Sequence, residues 1–160
     1  MAEVLIVFYS RTGNTGQMAE LVAEGARQVD GTEVRIQPVE ETTPDDLLSA
    51  HAIIMGSPVY YGTMAAQLKE LLDESVRYHG QLAGKVGGAF ASSGGPGGGN
   101  ETTVLNLLQA MLIHGMVIRG EPQGDHYGPI AVGAPDERSR RECLKLGANV
   151  ADLAARLFGS

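Results

Sequence analysis

Two hydrophobic periods alternate along this chain, and that alternation leaves few folds open. Residues 4–8 form a short continuous apolar run, the pattern of a strand covered on both faces. Met18, Leu21, Val22, Gly25, Ala26 and Val29 follow at the spacing of one helix face. Val34-Arg35-Ile36 reads as a weaker, alternating second strand and Ala52-Ile53-Ile54-Met55 as a third. Met64, Leu68, Leu71, Leu72 and Val76 form the next helical stripe, and residues 86–91 a small, apolar fourth strand. Val104, Leu107, Leu108, Met111 and Leu112 mark a further helix, and Met116-Val117-Ile118 the fifth strand. The last stripe is the clearest: Cys143, Leu146, Gly147, Val150, Leu153, Ala154 and Leu157 share one face. The order βαβ-βαβαβα with short connections predicts an α/β fold, a doubly wound five-stranded parallel sheet with helices on both faces. No internal repeat or interdomain linker interrupts it, so residues 1–160 read as a single domain. A domain of that length buries roughly 70% of the surface its unfolded chain exposes.

Doubly wound sheets bind ligands outside the carboxyl ends of their strands. The segments that leave strands one, three, four and five are residues 10–15, 57–63, 92–100 and 121–129, all rich in Gly, Ser, Thr, Pro or Tyr. The loops predicted for the opposite edge are plainer. This asymmetry points to a site on one rim.

Composition narrows the partners. A formal net charge of -7 argues against a general affinity for nucleic acid or anionic membranes. No run approaches the 18 or so apolar residues of a membrane span, so no membrane insertion is expected. The N-terminus, MAEVLIVFYS, lacks a basic region and reads as a first strand rather than a signal peptide. The single cysteine, Cys143, falls on an apolar stripe and reads as core. With no partner for a disulfide, it suits a reducing cytosol, and a cytoplasmic location is expected.

Ser10-Arg11-Thr12-Gly13-Asn14-Thr15 lies where strand one passes into the first helix. Free backbone N–H groups at a helix N-terminus, three hydroxyls, an amide and a glycine together suit an anion of phosphate size. An ordinary turn capped by Asn14 or Thr15 is the competing reading. There is no Gly-Lys-Ser/Thr, so triphosphate hydrolysis is unsupported, and no Gly-x-Gly-x-x-Gly of a dinucleotide fold.

The same stretch resembles the FMN phosphate loop of the flavodoxins. Residues 56–73 (GSPVYYGTMAAQLKELLD) are similar to the segment after strand three in the flavodoxin-like superfamily. Residues 90–103 (FASSGGPGGGNETT) and 114–118 (HGMVI) resemble the WrbA-type NAD(P)H:quinone oxidoreductases. The resemblance implies a flavodoxin-like fold and FMN as cofactor, with NAD(P)H and a quinone as small-molecule substrates of a ping-pong, two-electron reaction. It implies that Ser10, Arg11, Thr12, Gly13, Asn14 and Thr15 hold the phosphate. Pro58, Val59, Tyr60, Tyr61 and Gly62 would line one side of the isoalloxazine. Ser92, Ser93, Gly94, Gly95, Pro96 and Gly97 would receive its pyrimidine edge. His114 matches a histidine that approaches the flavin in the WrbA group, and would act as catalytic proton donor; a buried structural histidine is the alternative. A homo-oligomer, dimer or tetramer, is also implied, although the chain lacks the tryptophan-bearing insertion of that group.

Residues 92–100 contain no aromatic side chain, so one flavin face would stay open to a flat substrate, unless Tyr127 closes it. This favours an enzyme over the alternative, an electron-transfer flavodoxin. Asp125-His126-Tyr127 is expected near the mouth, as a lid or a solvated hairpin. Arg138, Arg140 and Arg141 read as a solvated face, as do Glu40, Glu41, Asp45 and Asp46.

Overall fold

The computed structural model describes residues 1–159. A parallel sheet is built from β1 (Ala2–Phe8), β2 (Thr32–Pro38), β3 (Ala52–Pro58), β4 (Val86–Ser93) and a fifth strand in two pieces, β5 (Val117–Ile118) and β6 (Ile130–Val132). The order is β2-β1-β3-β4-β5, with β6 also on β4. β5 pairs with Val86 and Gly87 at the start of β4, and β6 with Ala91, Ser92 and Ser93 at its end. Residues 119–129 bulge out between the two pieces.

The helices are α1 (Asn14–Arg27), α2 (Pro44–Ser49), α3 (Ala66–Glu74), α4 (Asn100–Ile113) and α5 (Glu137–Phe158). Successive strand residues point to opposite faces, so β1 divides its side chains between two cores. Leu5 and Val7 join Ile53, Met55, Ala89 and Ala91 under Leu68 and Leu71 of α3 and Val104, Leu107 and Met111 of α4. Val4 and Ile6 join Ile54 and Phe90 beneath Met18 and Val22 of α1 and Cys143 and Val150 of α5. Strands covered on both faces become continuous apolar runs, which is why β1, β3 and β4 are legible in sequence. α1 and α5 cross so closely that a Cβ on Gly147 would overlap the Val22 carbonyl, and one on Gly25 the Leu144 carbonyl.

Two elements escape the hydrophobic pattern. α2 has six residues and starts with Pro44, behind a capping box in which Thr43 and Asp46 satisfy each other's backbone amides. Asp46 also pairs with Arg35 at 3.1 Å, so it is not the free surface charge that sequence predicts. β6 has three residues.

Residues 121–129 require a correction. Because the fifth strand is split, they leave its middle rather than its carboxyl end. They pack on α5: Arg138 donates to Asp125 at 2.7 Å and to the Ile130 carbonyl at 2.9 Å, and Lys145 donates to the Gln123 carbonyl at 2.8 Å. Asp125-His126-Tyr127 therefore borders a small hollow against α5 rather than the rim. Arg138 is exposed, as expected, and also serves as a tether.

Candidate functional site

The carboxyl ends of β1, β3 and β4 open into a cavity of about 430 Å³, lined by Arg11, Thr12, Asn14, Thr15, Pro58, Val59, Tyr60, Ser92, Ser93 and Gly94. Three of the four segments expected to converge contribute; residues 121–129 do not. The remaining expected residues stand behind or beside the cavity. Ser10 accepts a hydrogen bond from the Gly16 amide at 3.1 Å, which fixes the turn. Gly13 is the N-cap of α1. Gly62, Gly95, Pro96 and Gly97 lie in the outer loops, outside the lining.

The first segment is shaped for an anion. Neither Asn14 nor Thr15 caps α1: the N-cap is Gly13, at φ 102°, with no side-chain cap, and the first turn holds no acid. With the Gly16 amide taken by Ser10, those of Asn14 and Thr15 are left to a ligand, and the helix dipole adds partial positive charge. Arg11 is the cation at the mouth, and no carboxylate lines the cavity. A donor-rich, acid-free cradle at a helix N-terminus fits a phosphate.

The segments are locked to one another. The Thr15 and Ser92 hydroxyls lie 2.7 Å apart and buried, joining the first to the third. Val59 donates its amide to the Ser92 carbonyl at 2.8 Å, joining the second to the third. Ser93 accepts from Asn100 Nδ2 and donates to the Gly95 carbonyl, each at 2.8 Å, which folds the glycine-rich loop over the start of α4. Asn100 Oδ1 is buried without a partner beneath that loop.

Tyr60 and Thr63 form an antiparallel backbone pair, closing a two-residue turn. Both central residues have positive φ, Tyr61 at 49° and Gly62 at 78°, as a type I′ turn requires. Tyr61 is the one non-glycine residue with positive φ among the described residues, and its ring is fully exposed. Tyr60 lines the cavity; Tyr61 stands at the hairpin tip, outside it.

Tyr9, which the motif reading passes over, meets Tyr60 edge to face at 6.3 Å between ring centroids. The signal was available: Tyr9 directly precedes the Ser10–Thr15 motif at the end of β1. Beyond it, an open groove of about 1410 Å³ runs between α3 and α4, sharing Arg11 and Tyr60 with the cavity. Its flank carries Glu70, Asp73 and Glu74, with Lys69 paired to Asp73 at 2.6 Å.

His114 is not brought to this rim. It is the C-cap of α4, whose N-terminus carries the rim loop, and a helix of 14 residues is about 20 Å long. The ring is buried, with Nε2 2.8 Å from Ser75 Oγ and Nδ1 without a partner. Ser75 Oγ donates to the Leu72 carbonyl at 2.6 Å, so it accepts from His114 Nε2–H, and the ring is the neutral Nε2–H tautomer. Burial, then the nearby His79, hold its pKa below 6.5. The structural reading of this histidine accounts for its surroundings. Cys143 lies buried as expected, its thiol pushed up to about 12 by burial. Among the described residues no cluster of His, Cys, Asp and Glu could hold a metal ion, and no helix is long and apolar enough to cross a membrane.

The family described as NADPH-dependent FMN reductase matches residues 39–124. The chain is 39% identical to a flavodoxin of Aquifex aeolicus, over 97% of this chain and 88% of that protein. It is 35% identical to an NAD(P)H dehydrogenase (quinone) of Archaeoglobus fulgidus, over 98% of this chain and 100% of that protein. Its structure is similar to that of a WrbA-like flavodoxin protein from Agrobacterium tumefaciens, with a TM-score of 0.82, 26% identity, and 98% and 99% of the two chains covered.

Proposed function

This chain belongs to the flavodoxin-like NADPH-dependent FMN reductases, and from that premise we propose that it is an FMN-dependent NAD(P)H:quinone oxidoreductase of the WrbA type. The observation that carries the proposal is the rim cavity: an acid-free anion cradle at the start of α1, an aromatic ring on one wall only, and a wide groove leading in.

Bound FMN supplies the hydride and electron chemistry. The protein's part is to bind, orient and exclude. Thr12, Asn14, Thr15 and the free amides of α1 hold the phosphate, and Arg11 screens it at the mouth. Pro58, Val59 and Tyr60 form one wall for the ring system, extended outward by Tyr61 and Gly62. Residues 92–97 would receive its polar edge, and the backbone N–H groups of that loop, which Pro96 alone lacks, would favour developing negative charge there. The 92–100 segment has no aromatic side chain to stack over the other side, which would leave one face open to a flat donor and then a flat acceptor in ping-pong order. Positioning does most of the work and no protein nucleophile is needed. With His114 remote, the proton that a reduced acceptor takes up comes from water at the mouth.

The protein acts as a homo-oligomer in the cytoplasm. Support for assembly comes from α4, whose exposed Leu105, Leu112 and Ile113 give it apolar residues on its outer side as well as its inner one.

A second reading, an electron-transfer flavodoxin, is favoured by the identity to the Aquifex aeolicus protein. One experiment separates them. The FMN-loaded protein is mixed with NADH or NADPH, with and without benzoquinone. A quinone reductase consumes the nicotinamide without any added reductase, and faster with quinone. A carrier leaves it untouched until a partner reductase is supplied. A protein that takes up no FMN defeats both.

A further inference from the structure

Tyr61 occupies a left-handed conformation that bulky L side chains rarely adopt, while its ring stands in solvent. Contacts of its own side chain do not hold it there. The Tyr60–Thr63 backbone pair supplies two hydrogen bonds, of 3.0 and 3.2 Å, and so short a hairpin is marginal by itself.

The restraint comes from α4. Thr102 Oγ1 lies 2.9 Å from the Gly62 carbonyl, and Thr63 Oγ1 donates to Asn106 Oδ1 at 2.9 Å. Asn106 is oriented in turn by donating Nδ2 to Gln109 Oε1 at 3.1 Å. Thr102 and Asn106 are four residues apart on the helix, so their side chains leave the same face and grip successive hairpin residues. The Thr102 hydroxyl is also 2.9 Å from the Gly99 carbonyl, so one proton is shared between the helix start and the hairpin. Backbone contact reinforces the link: a Cβ on Gly99 would lie 2.9 Å from Gly62 Cα. Neither Thr102 nor Asn106 lines the cofactor cavity.

We propose that Thr102 and Asn106 are positioning residues. By gripping Gly62 and Thr63 they hold Tyr60 and Tyr61 in register with the cavity, and make the hairpin after β3 and the start of α4 move as one body. The consequence for the flavin rests on the function proposed above; the grip itself is a property of the flavin-free chain.

The test uses Thr102→Val and Asn106→Ala in the full chain. Amide hydrogen exchange is followed at Tyr60 and Thr63 without flavin, and the FMN dissociation constant is read from flavin fluorescence. Each variant is expected to speed exchange at Thr63 at least tenfold, while Leu107 and Leu108 inside α4 keep their wild-type rates. The FMN dissociation constant rises three- to tenfold. Thr102→Ser and Asn106→Asp, which keep the hydroxyl and the acceptor oxygen, restore both. Unchanged exchange at Thr63 in both variants overturns the proposal. So does faster exchange that spreads along α4, which would mean a loosened helix, or a failure of the conservative variants to rescue. A wild-type protein that binds no FMN refutes the flavin reading, while the exchange result still decides the grip.

Discussion

Replacing Tyr61 by asparagine should make the flavin-free protein more stable and the flavin-binding protein worse. A non-glycine residue in the left-handed region costs roughly 1–2 kcal/mol, and Tyr61 sits there at φ 49°. Asparagine tolerates this region, and Asn-Gly is a favoured pair for the turn that Tyr61-Gly62 makes. The tyrosine ring is fully exposed, so deleting it uncovers no core. Asparagine also avoids the extra unfolded-state freedom that glycine would bring. The net gain is about 1 kcal/mol, which raises Tm by roughly 2–4 °C in a domain of this size. Loss of the ring at the rim should weaken FMN binding by about 0.5–1.5 kcal/mol, the usual worth of an aromatic stack. Thermal unfolding of the apoprotein and fluorescence titration with FMN read the two terms separately. A lower apoprotein Tm would show that Tyr61 is not strained as argued. An unchanged dissociation constant would remove its ring from the flavin site.

Other substitutions test different parts. Thr12→Val and Thr15→Val should each weaken FMN at least tenfold, about 1.4 kcal/mol, in the same titration; Thr15→Val also leaves the buried Ser92 hydroxyl without its partner. Gly147→Ala forces a methyl into the α1–α5 crossing and should cost about 3 kcal/mol, lowering Tm by roughly 6–12 °C in a thermal melt. Because the folded pKa of His114 is depressed below 6.5, the unfolded chain binds its proton first as pH falls. Its contribution is therefore fully present above pH 6.5 and is lost on acidification toward the lowered folded value. Urea midpoints across that window should fall for wild type and fall less for His114→Gln. Cys143, buried with its thiol pushed up to about 12, should resist a thiol reagent at pH 8 until denaturant is added.

What could be read in advance follows from how far each signal reaches along the chain. β1, β3 and β4 are buried on both faces and show as apolar runs, and α1 and α5 each bury one stripe. Three cavity segments were legible because each is a short motif set just after such a run. α2 left only local marks, Thr43, Pro44 and Asp46, and no periodic stripe. The split of the fifth strand was invisible because Ile130–Val132 is held by pairing with β4, a partner nearly forty residues earlier. That one omission moved residues 121–129 to the wrong place. His114 was misplaced for a different reason: a motif match says which residue recurs, while helix length decides which end of the sheet it reaches. Thr102 and Asn106 resemble ordinary exposed helix residues until the hairpin facing them is known.

The divided fifth strand also governs how copies of this molecule can meet. Its outer border offers two residues, then a detour pinned to α5, then three more, too little unbroken ladder to template another strand. Growth of the sheet from one molecule into the next is thereby blocked on that side, so contacts between copies there fall to side chains of the detour and the flanking helices rather than to strand pairing.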